Sequence, residues 1–308
     1  MSGEGSLEHL DARYRRYAIL ADDQRIAWIK ADRWVGFGQA EVGLSRLNSL
    51  LSYPPRDRMP CLLLYGETGM GKTMILRKFE RNNPAVFCQA TGVTQRPVVL
   101  AQVPPEPLER DLYRELLAAI DAPVLSGGTL AREKDVCRSL LRVVSARVIV
   151  LDEVNSMLAG TWRQQRIFLN AIRFLANDLR VPLVCAGTDL ARQALLTDSQ
   201  LAERFEACEL RRWKNDPSFA GLLRSLAAIL PLRERSDLES AEVRTRIHEL
   251  SAGVTARVFR LIEAAAEAAI VSGRERLGID SFGDDLMLPL VSMMPRRHAR
   301  AAHRASAS

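Results

Sequence analysis

No run of 18 or more apolar residues occurs in the 308-residue chain, and its most apolar helical stretch, 258–271, is broken by Arg260, Glu263 and Glu267, so no membrane span is expected. The first eight residues are acidic and have no apolar core, which excludes a secretory signal there. Cys61, Cys88, Cys137, Cys185 and Cys208 lie scattered, without a Cys-x-x-Cys pair. Lone cysteines in a chain of this size point to a reduced, cytoplasmic setting, and the three that lie in apolar runs to small core residues. The four histidines, at positions 9, 248, 298 and 303, have no cysteine or carboxylate cluster at zinc-ligand spacing, so no metal site is expected on them. Hydrophobic residues at 47% and charged residues at 26% exclude a disordered or fibrous chain and leave a globular one, long enough for two domains. The net charge of +6 is mild, and four of its arginines (296, 297, 300 and 304) sit in the last residues, so 1–295 carry only +2. Bulk charge is therefore a poor argument for a nucleic-acid partner.

What is present is an alternation of short apolar runs with helical periods. Residues 8–31 read as an amphipathic helical arm, followed by the turn Val35-Gly36-Phe37-Gly38 and a helix near 39–52 that Tyr53-Pro54-Pro55 stops. Strand-like runs then cover 61–65, 85–88, 97–103, 148–151 and 182–186, with helical patterns near 72–81, 108–120, 130–145 and 162–179. Buried strands alternating with helices predict a parallel sheet covered on both faces, an α/β fold. Beyond Arg211-Arg212-Trp213-Lys214 only helical patterns follow, near 216–230, 237–250 and 254–272. The expected organisation is an N-terminal helical arm (1–34), a nucleotide-binding α/β domain (35–213), a helical lid domain (214–290) and a basic, disordered tail (291–308).

The sharpest motif is Gly66-Glu67-Thr68-Gly69-Met70-Gly71-Lys72-Thr73, a P-loop match at every position, set between the apolar strand Cys61-Leu62-Leu63-Leu64-Tyr65 and a helix. Glycines let backbone N–H groups curl around phosphates, and the helix N-terminus favours the anion. Lys72 neutralises the β and γ phosphates of ATP, and the Thr73 hydroxyl ligates Mg²⁺. Val35 and Gly36 complete the candidate nucleotide contacts. A second apolar strand ends in Asp152-Glu153, 80 residues after Lys72. Asp152 would hold Mg²⁺ through water, and Glu153 would orient or deprotonate the attacking water. Glu beside Asp favours hydrolysis over nucleotide binding alone, so an ATPase is expected.

Beyond these motifs the chain resembles the P-loop AAA+ ATPases, and within them the TniB transposition helpers, relatives of TnsC and phage Mu B. The resemblance spans about Trp28 to Ser281. It rests on Arg58-Met59-Pro60, Leu158-Ala159-Gly160-Thr161 with Gln165-Arg166, Ala186-Gly187-Thr188, Gln200-Leu201-Ala202-Glu203-Arg204-Phe205 and Leu230-Pro231-Leu232-Arg233. It implies a three-layer parallel-sheet core with a helical lid. It also implies that Thr188 acts as sensor 1, where a plain helix N-cap is the alternative. Arg204 resembles the arginine finger that reaches a neighbour's phosphate, where a solvated helix arginine is the alternative. Two departures stand out. Many relatives have a histidine where this chain has Asn155, which could hydrogen-bond near the γ phosphate but cannot titrate. In Gly253-Val254-Thr255-Ala256-Arg257 the sensor 2 arginine falls one place late, leaving Arg257 as candidate with Arg260 behind it.

What the resemblance implies about function is an ATP-dependent regulator of DNA transposition that binds double-stranded DNA without sequence preference. It would assemble as a homo-oligomeric ring or helical filament and recruit or activate a separate, cognate transposase, with no membrane involved. Thr94, Arg96, Arg132 and Lys134 are the candidate DNA-phosphate contacts, with ordinary charged surface as the alternative for each. The competing functions are a helicase or clamp loader of the same fold and a nucleotide-gated scaffold with little turnover.

Overall fold

Residues 7–106, 108–123 and 127–286 are described by the structure, a computed structural model, with the side chains of 157–159 excepted; the tail expected over 291–308 lies outside them. A 3₁₀ turn at Leu7–His9 precedes α1 (Arg15–Ala18), α2 (Asp22–Lys30) and α3 (Gly38–Leu51). The α/β region follows as β1 (Cys61–Gly66), α4 (Lys72–Asn82), β2 (Val86–Cys88), β3 (Val93–Gln95), β4 (Val98–Gln102), α5 (Glu109–Ala119), α6 (Leu130–Val143) and β5 (Val148–Asp152). It continues through a 3₁₀ segment at Val154–Ala159, then α7 (Trp162–Leu179), β6 (Leu183–Gly187), α8 (Asp189–Leu196), α9 (Ser199–Ala202) and β7 (Phe205–Leu210). Three further helices, α10 (Pro217–Ala227), α11 (Ala241–Ser251) and α12 (Thr255–Val271), come last before a 3₁₀ turn at Ile279–Ser281.

Five strands form one parallel sheet in the order β4-β5-β6-β1-β7. Side chains alternate across a pleated strand, and here the alternation sorts the core into two layers. Cys61, Leu63, Val99, Ile149, Leu151 and Cys185 face α5, α6, α7 and α8. Leu62, Leu64, Val98, Val150, Val184 and Ala186 face α3 and α4. Both faces of these strands are therefore apolar, which is why they read as continuous hydrophobic runs. The outcome is the three-layer α/β core expected from the sequence.

One sequence expectation is corrected and one strand is added. The run 85–88 is no strand of the main sheet: β2 pairs with β3 in a separate antiparallel hairpin. Adjacent strand residues point to opposite faces, and Val86 and Phe87 are both 60% exposed, so neither face of this hairpin packs on the core. Conversely, β7 was not anticipated. It is a half-exposed edge strand, Phe-Glu-Ala-Cys-Glu-Leu, whose polar alternation gives a weak signal beside the buried runs. The helical arm consists of the 3₁₀ turn, α1 and α2. An unbroken helix over 8–31 would be about 36 Å long at 1.5 Å per residue. Folding back instead stacks Tyr17 on Trp28, with ring centroids 4.8 Å apart, and leaves Ile19 exposed.

The C-terminal helices bury Phe219, Leu223, Ile247, Val258 and Ile262 against one another, and Ile29 of α2 joins that cluster. The start of α10 is fixed by Asp216, whose carboxylate accepts from the Ser218 and Phe219 N–H groups, with Pro217 in the first turn. A buried ion pair clamps the arm to this region. Arg25, with no exposed surface, donates to both carboxylate oxygens of Glu275 at 2.7 and 2.6 Å and to the Pro231 carbonyl at 3.0 Å. Trp213 joins the helical region to the sheet: its indole N–H donates to Thr255 Oγ1 at 3.1 Å, and His248 donates to its carbonyl at 2.9 Å. Gly253 makes this approach possible. It has φ +69°, and a Cβ there would stand 2.4 Å from the Trp213 oxygen.

Candidate nucleotide site

The loop between β1 and α4 is shaped by its glycines. A Cβ on Gly66 would lie 2.5 Å from the Leu210 carbonyl of β7, so only glycine lets the edge strand close on the loop's base. Gly69 and Gly71 take φ of +84° and +92°, in the left-handed region that side chains avoid. Between them Met70, 2% exposed, anchors the loop in the core. The turn delivers Lys72 at the start of α4, where its Nζ donates to the Gly66 and Glu67 carbonyls, both at 2.9 Å. Burial lowers the Lys72 pKa, and the nearby carboxylates of Glu153 and Asp152 oppose that shift.

The end of β5 brings the acidic pair to the same place. Thr73 Oγ1 donates to Asp152 Oδ2 at 2.7 Å, joining two hard oxygen donors from the start of α4 and the end of β5. Asp152 Oδ1 accepts from the Glu153 N–H at 2.9 Å. Glu153 itself is left-handed, with φ 57° and ψ 37°, a conformation costing about 1 kcal/mol or more for a residue with a side chain. That turn swings its carboxylate toward the loop. Thr188, at the end of β6, occupies the N-cap position of α8, yet its side chain makes no capping bond. Its Oγ1 is buried without a hydrogen-bond partner among the described residues. A buried hydroxyl left unpaired costs free energy.

These groups share a cavity of about 440 Å³, into which Thr68, Gly69, Gly71, Lys72, Thr73, Glu153 and Thr188 project. Its other wall is apolar, built by Trp34, Val35, Phe37 and Phe259. Arg33 and Glu263 also line it; burial lowers the arginine's pKa and raises that of the carboxyl. A phosphate-binding loop beside an apolar and aromatic pocket is a fitting shape for a nucleotide. Gly36 lies next to this wall without lining it, its Cα facing the Glu41 carboxylate.

Helix α12 closes the site from the C-terminal side. The Ala256 N–H donates to the Gly69 carbonyl at 2.8 Å, and Val254 and Ala256 would stand 3.1 and 3.3 Å from a Cβ on Gly69. On the loop's far side lies an open cleft bordered by Glu67, Arg212, Arg257 and Arg260. There Arg212 grips Glu67 through two bonds of 2.8 and 2.5 Å, which holds the Glu67 carboxyl below its usual range. Arg257 faces this cleft, whereas Arg260 borders both the cleft and the phosphate cavity.

The remaining expected residues lie elsewhere. Arg204 directly precedes β7, whose first residue, Phe205, is paired with Cys61 at the opposite end of β1 from Gly66. It donates to Asn177 Oδ1 at 2.6 Å and lines an open cavity of about 760 Å³ with Arg56 and Arg58. Thr94 is exposed on β3. Arg96 is engaged by Asp121 and the Ala119 carbonyl, and Lys134 by Glu109 at 2.5 Å. Arg132 is exposed near the start of α6. The four therefore share no single cluster of free cations.

Sequence reasoning missed Arg212, Arg33, Trp34, Phe37, Phe259 and Glu263. For Arg212 there was no signal, because its partner Glu67 is 145 residues away. The aromatic residues flanking Val35-Gly36 were a usable hint, since a turn with Trp34 and Phe37 exposes or stacks large rings.

Comparison with known proteins adds the following. The profile of the family described as Bacterial TniB protein matches residues 25–215. No curated protein sequence matches the chain. Among solved structures, the chain is similar to the ORC2 protein of Aeropyrum pernix in its ADPNP–ADP complexes, at 19% identity and TM-score 0.59, over 84% of this chain and 69% of that one. It is similar to Cdc6p of Pyrobaculum aerophilum at 17% identity and TM-score 0.53, over 83% and 68%. The ORC1 protein of Aeropyrum pernix in complex with DNA aligns at 19% identity and TM-score 0.50, over 88% and 68%. Likeness at this identity concerns the fold, which is the P-loop AAA+ architecture.

Proposed function

Because the chain belongs to the TniB family, we propose that it is an ATPase that assembles on double-stranded DNA and regulates transposition by recruiting or activating a separate transposase. The observation that carries the ATPase part is the meeting of Lys72, Thr73, Glu153 and Thr188 in one cavity, with Asp152 bonded to Thr73 at its edge and the Thr188 hydroxyl unpartnered among the described residues. Lys72 would neutralise the β and γ phosphates, and the loop's N–H groups and the start of α4 would cradle them. The Thr73 hydroxyl and the Asp152 carboxylate, 2.7 Å apart, form an oxygen donor set suited to Mg²⁺, held directly by the threonine and through water by the aspartate. When bound, the ion supplies neutralisation of charge between the two terminal phosphates. Glu153 would orient the attacking water and take its proton, and Thr188 Oγ1 would donate to a γ-phosphate oxygen or to that water.

Arg204 is proposed as the finger that completes a neighbouring protomer's site, which makes the active unit a homo-oligomer, a ring or helical filament. Arg257 and Arg260 are the proposed lid contacts to phosphate. Thr94, Arg96, Arg132 and Lys134 remain the proposed DNA contacts. Arg96 and Lys134 would have to exchange their present acidic partners for phosphate. Support for DNA comes from the family and from the DNA-bound ORC1 relative.

The test is ATP hydrolysis by wild type and Glu153→Gln, with and without duplex DNA. Removing a general base costs about 10²–10⁴-fold. The variant should fall by that factor while still binding a slowly hydrolysed ATP analogue, and electron microscopy should show assemblies on DNA. Equal inertness of both proteins, or no assembly with analogue and DNA, would sink the proposal.

A further inference from the structure

Asn155 stands two residues beyond Glu153 and makes two bonds that bracket the site. Its Nδ2 donates to Glu153 Oε2 at 3.1 Å, and its Oδ1 accepts from the Thr188 N–H at 3.3 Å. One planar carboxamide thus joins the carboxylate after β5 to the main chain at the end of β6. A carboxamide carries a donor and an acceptor side by side, which this bridge requires; a carboxylate cannot donate to Glu153. The surroundings are shaped around it. Gly187, just before Thr188, has no Cβ, and one built there would stand 2.9 Å from Asn155 Oδ1, 2.7 Å from Ala191 Cβ and 3.2 Å from Val154 Cγ2. Val154 is fully buried and pins the segment, while the Ser156 hydroxyl and N–H donate to the Glu153 carbonyl at 2.9 and 3.1 Å. The left-handed backbone of Glu153 is therefore fixed from both sides, and the free torsions of its side chain are limited by Asn155.

We propose that Asn155 is a positioning residue for ATP hydrolysis: it holds the Glu153 carboxylate in register with the β6–α8 junction that carries Thr188. This rests on the ATPase reading above. It assigns Asn155 an effect on turnover through Glu153, and none on nucleotide binding. A carboxylate displaced by about 1 Å from its reacting geometry loses on the order of 10²-fold in rate.

The experiment is a double-mutant cycle in the full chain with Asn155→Asp and Glu153→Gln. Asn155→Asp keeps the shape and the acceptor for Thr188 N–H but removes the donor to Glu153. Its kcat should fall about 10–100-fold, with KM and the Kd of a fluorescent ADP analogue unchanged within about twofold. In the Glu153→Gln background the same change should have no further effect, since its route through Glu153 is gone. A wild-type kcat for Asn155→Asp, an additive loss in the cycle, or a Kd that rises in step with the lost rate would each overturn the assignment. Should Asn155→Asp fail to fold, Asn155→Ser is read by the same three criteria. A wild-type protein that hydrolyses no ATP would remove the ATPase reading itself, whereas an active wild type matched by Asn155→Asp would remove only this inference.

Discussion

At Gly69 the chain combines a φ of +84° with the Ala256 N–H bonded to its carbonyl and Val254 within 3.1 Å of where a Cβ would sit. Gly69→Ala therefore meets two costs, a strained backbone and a pushed-back α12, together about 1–3 kcal/mol. We expect a lower thermal midpoint and weaker binding of an ATP analogue, both measurable on the purified variant; an unchanged midpoint and Kd would show that α12 does not close on the loop. The motif residues themselves were legible because they are contiguous: a P-loop places its own backbone, so Lys72 and Thr73 follow from spacing alone. The sequence leaves Thr188 between two roles; the structure shows that its side chain makes no capping bond and that its buried hydroxyl has no partner among the described residues. Cys61, Cys137 and Cys185 are small buried residues, whereas Cys208 and Cys88, the latter on the exposed hairpin, are only half-buried; burial pushes the Cys61 thiol up to about 11 and Cys137 to about 12.

Between elements, the clamp formed by Arg25 and Glu275 ties the arm to the helical region across 250 residues of sequence. Burial pushes the Glu275 carboxyl upward, but the bonds from Arg25 and from the Arg233 N–H outweigh it and leave its pKa below the ordinary 4.5. A lowered carboxyl contributes stability that is present above the ordinary pKa and is lost as the pH falls through the lowered one. The stability margin of wild type over Glu275→Gln should thus be full at neutral pH and shrink below about pH 4.5, read by denaturant unfolding at several pH values. Arg25→Ala removes both guanidinium bonds to the largely buried Glu275 carboxylate, leaving it only the half-exposed Arg233, and should cost about 3 kcal/mol at neutral pH. A flat pH dependence, or a loss under about 1 kcal/mol, would mean that the clamp is solvated. Nothing in the composition of 8–31 announces this contact. The helical period there was visible, but the breaks around α1 and α2 come from Tyr17 and Trp28 stacking and from Ile29 entering the C-terminal cluster.

For the molecule as a whole, the parallel sheet sets a polarity. The phosphate loop leaves the C-terminal end of β1, while Arg204 enters β7 at the end where Cys61 begins, five residue steps away. At about 3.3 Å per residue that is roughly 17 Å, too far for Arg204 to reach the phosphates of its own loop. An arginine finger here can act only on another copy. Arg204→Ala and Lys72→Ala proteins, each inactive, should regain some ATPase activity when mixed, because one supplies an intact loop and the other an intact finger. Failure at every mixing ratio would count against action in trans. No helix among the described residues is long and apolar enough to cross a membrane.

From the sequence alone came the P-loop, the acidic pair after a buried strand, the α/β alternation and the family resemblance. These are local properties: a phosphate cradle and a strand buried on both faces are written in consecutive residues. Tertiary structure alone decided the strand order, the detachment of the Val86–Cys88 hairpin, the edge strand at Phe205–Leu210, and the pairs Glu67–Arg212, Arg25–Glu275 and Asn155–Thr188. Each joins residues whose types are common on any surface, and it is packing across distant segments that makes one partner out of many.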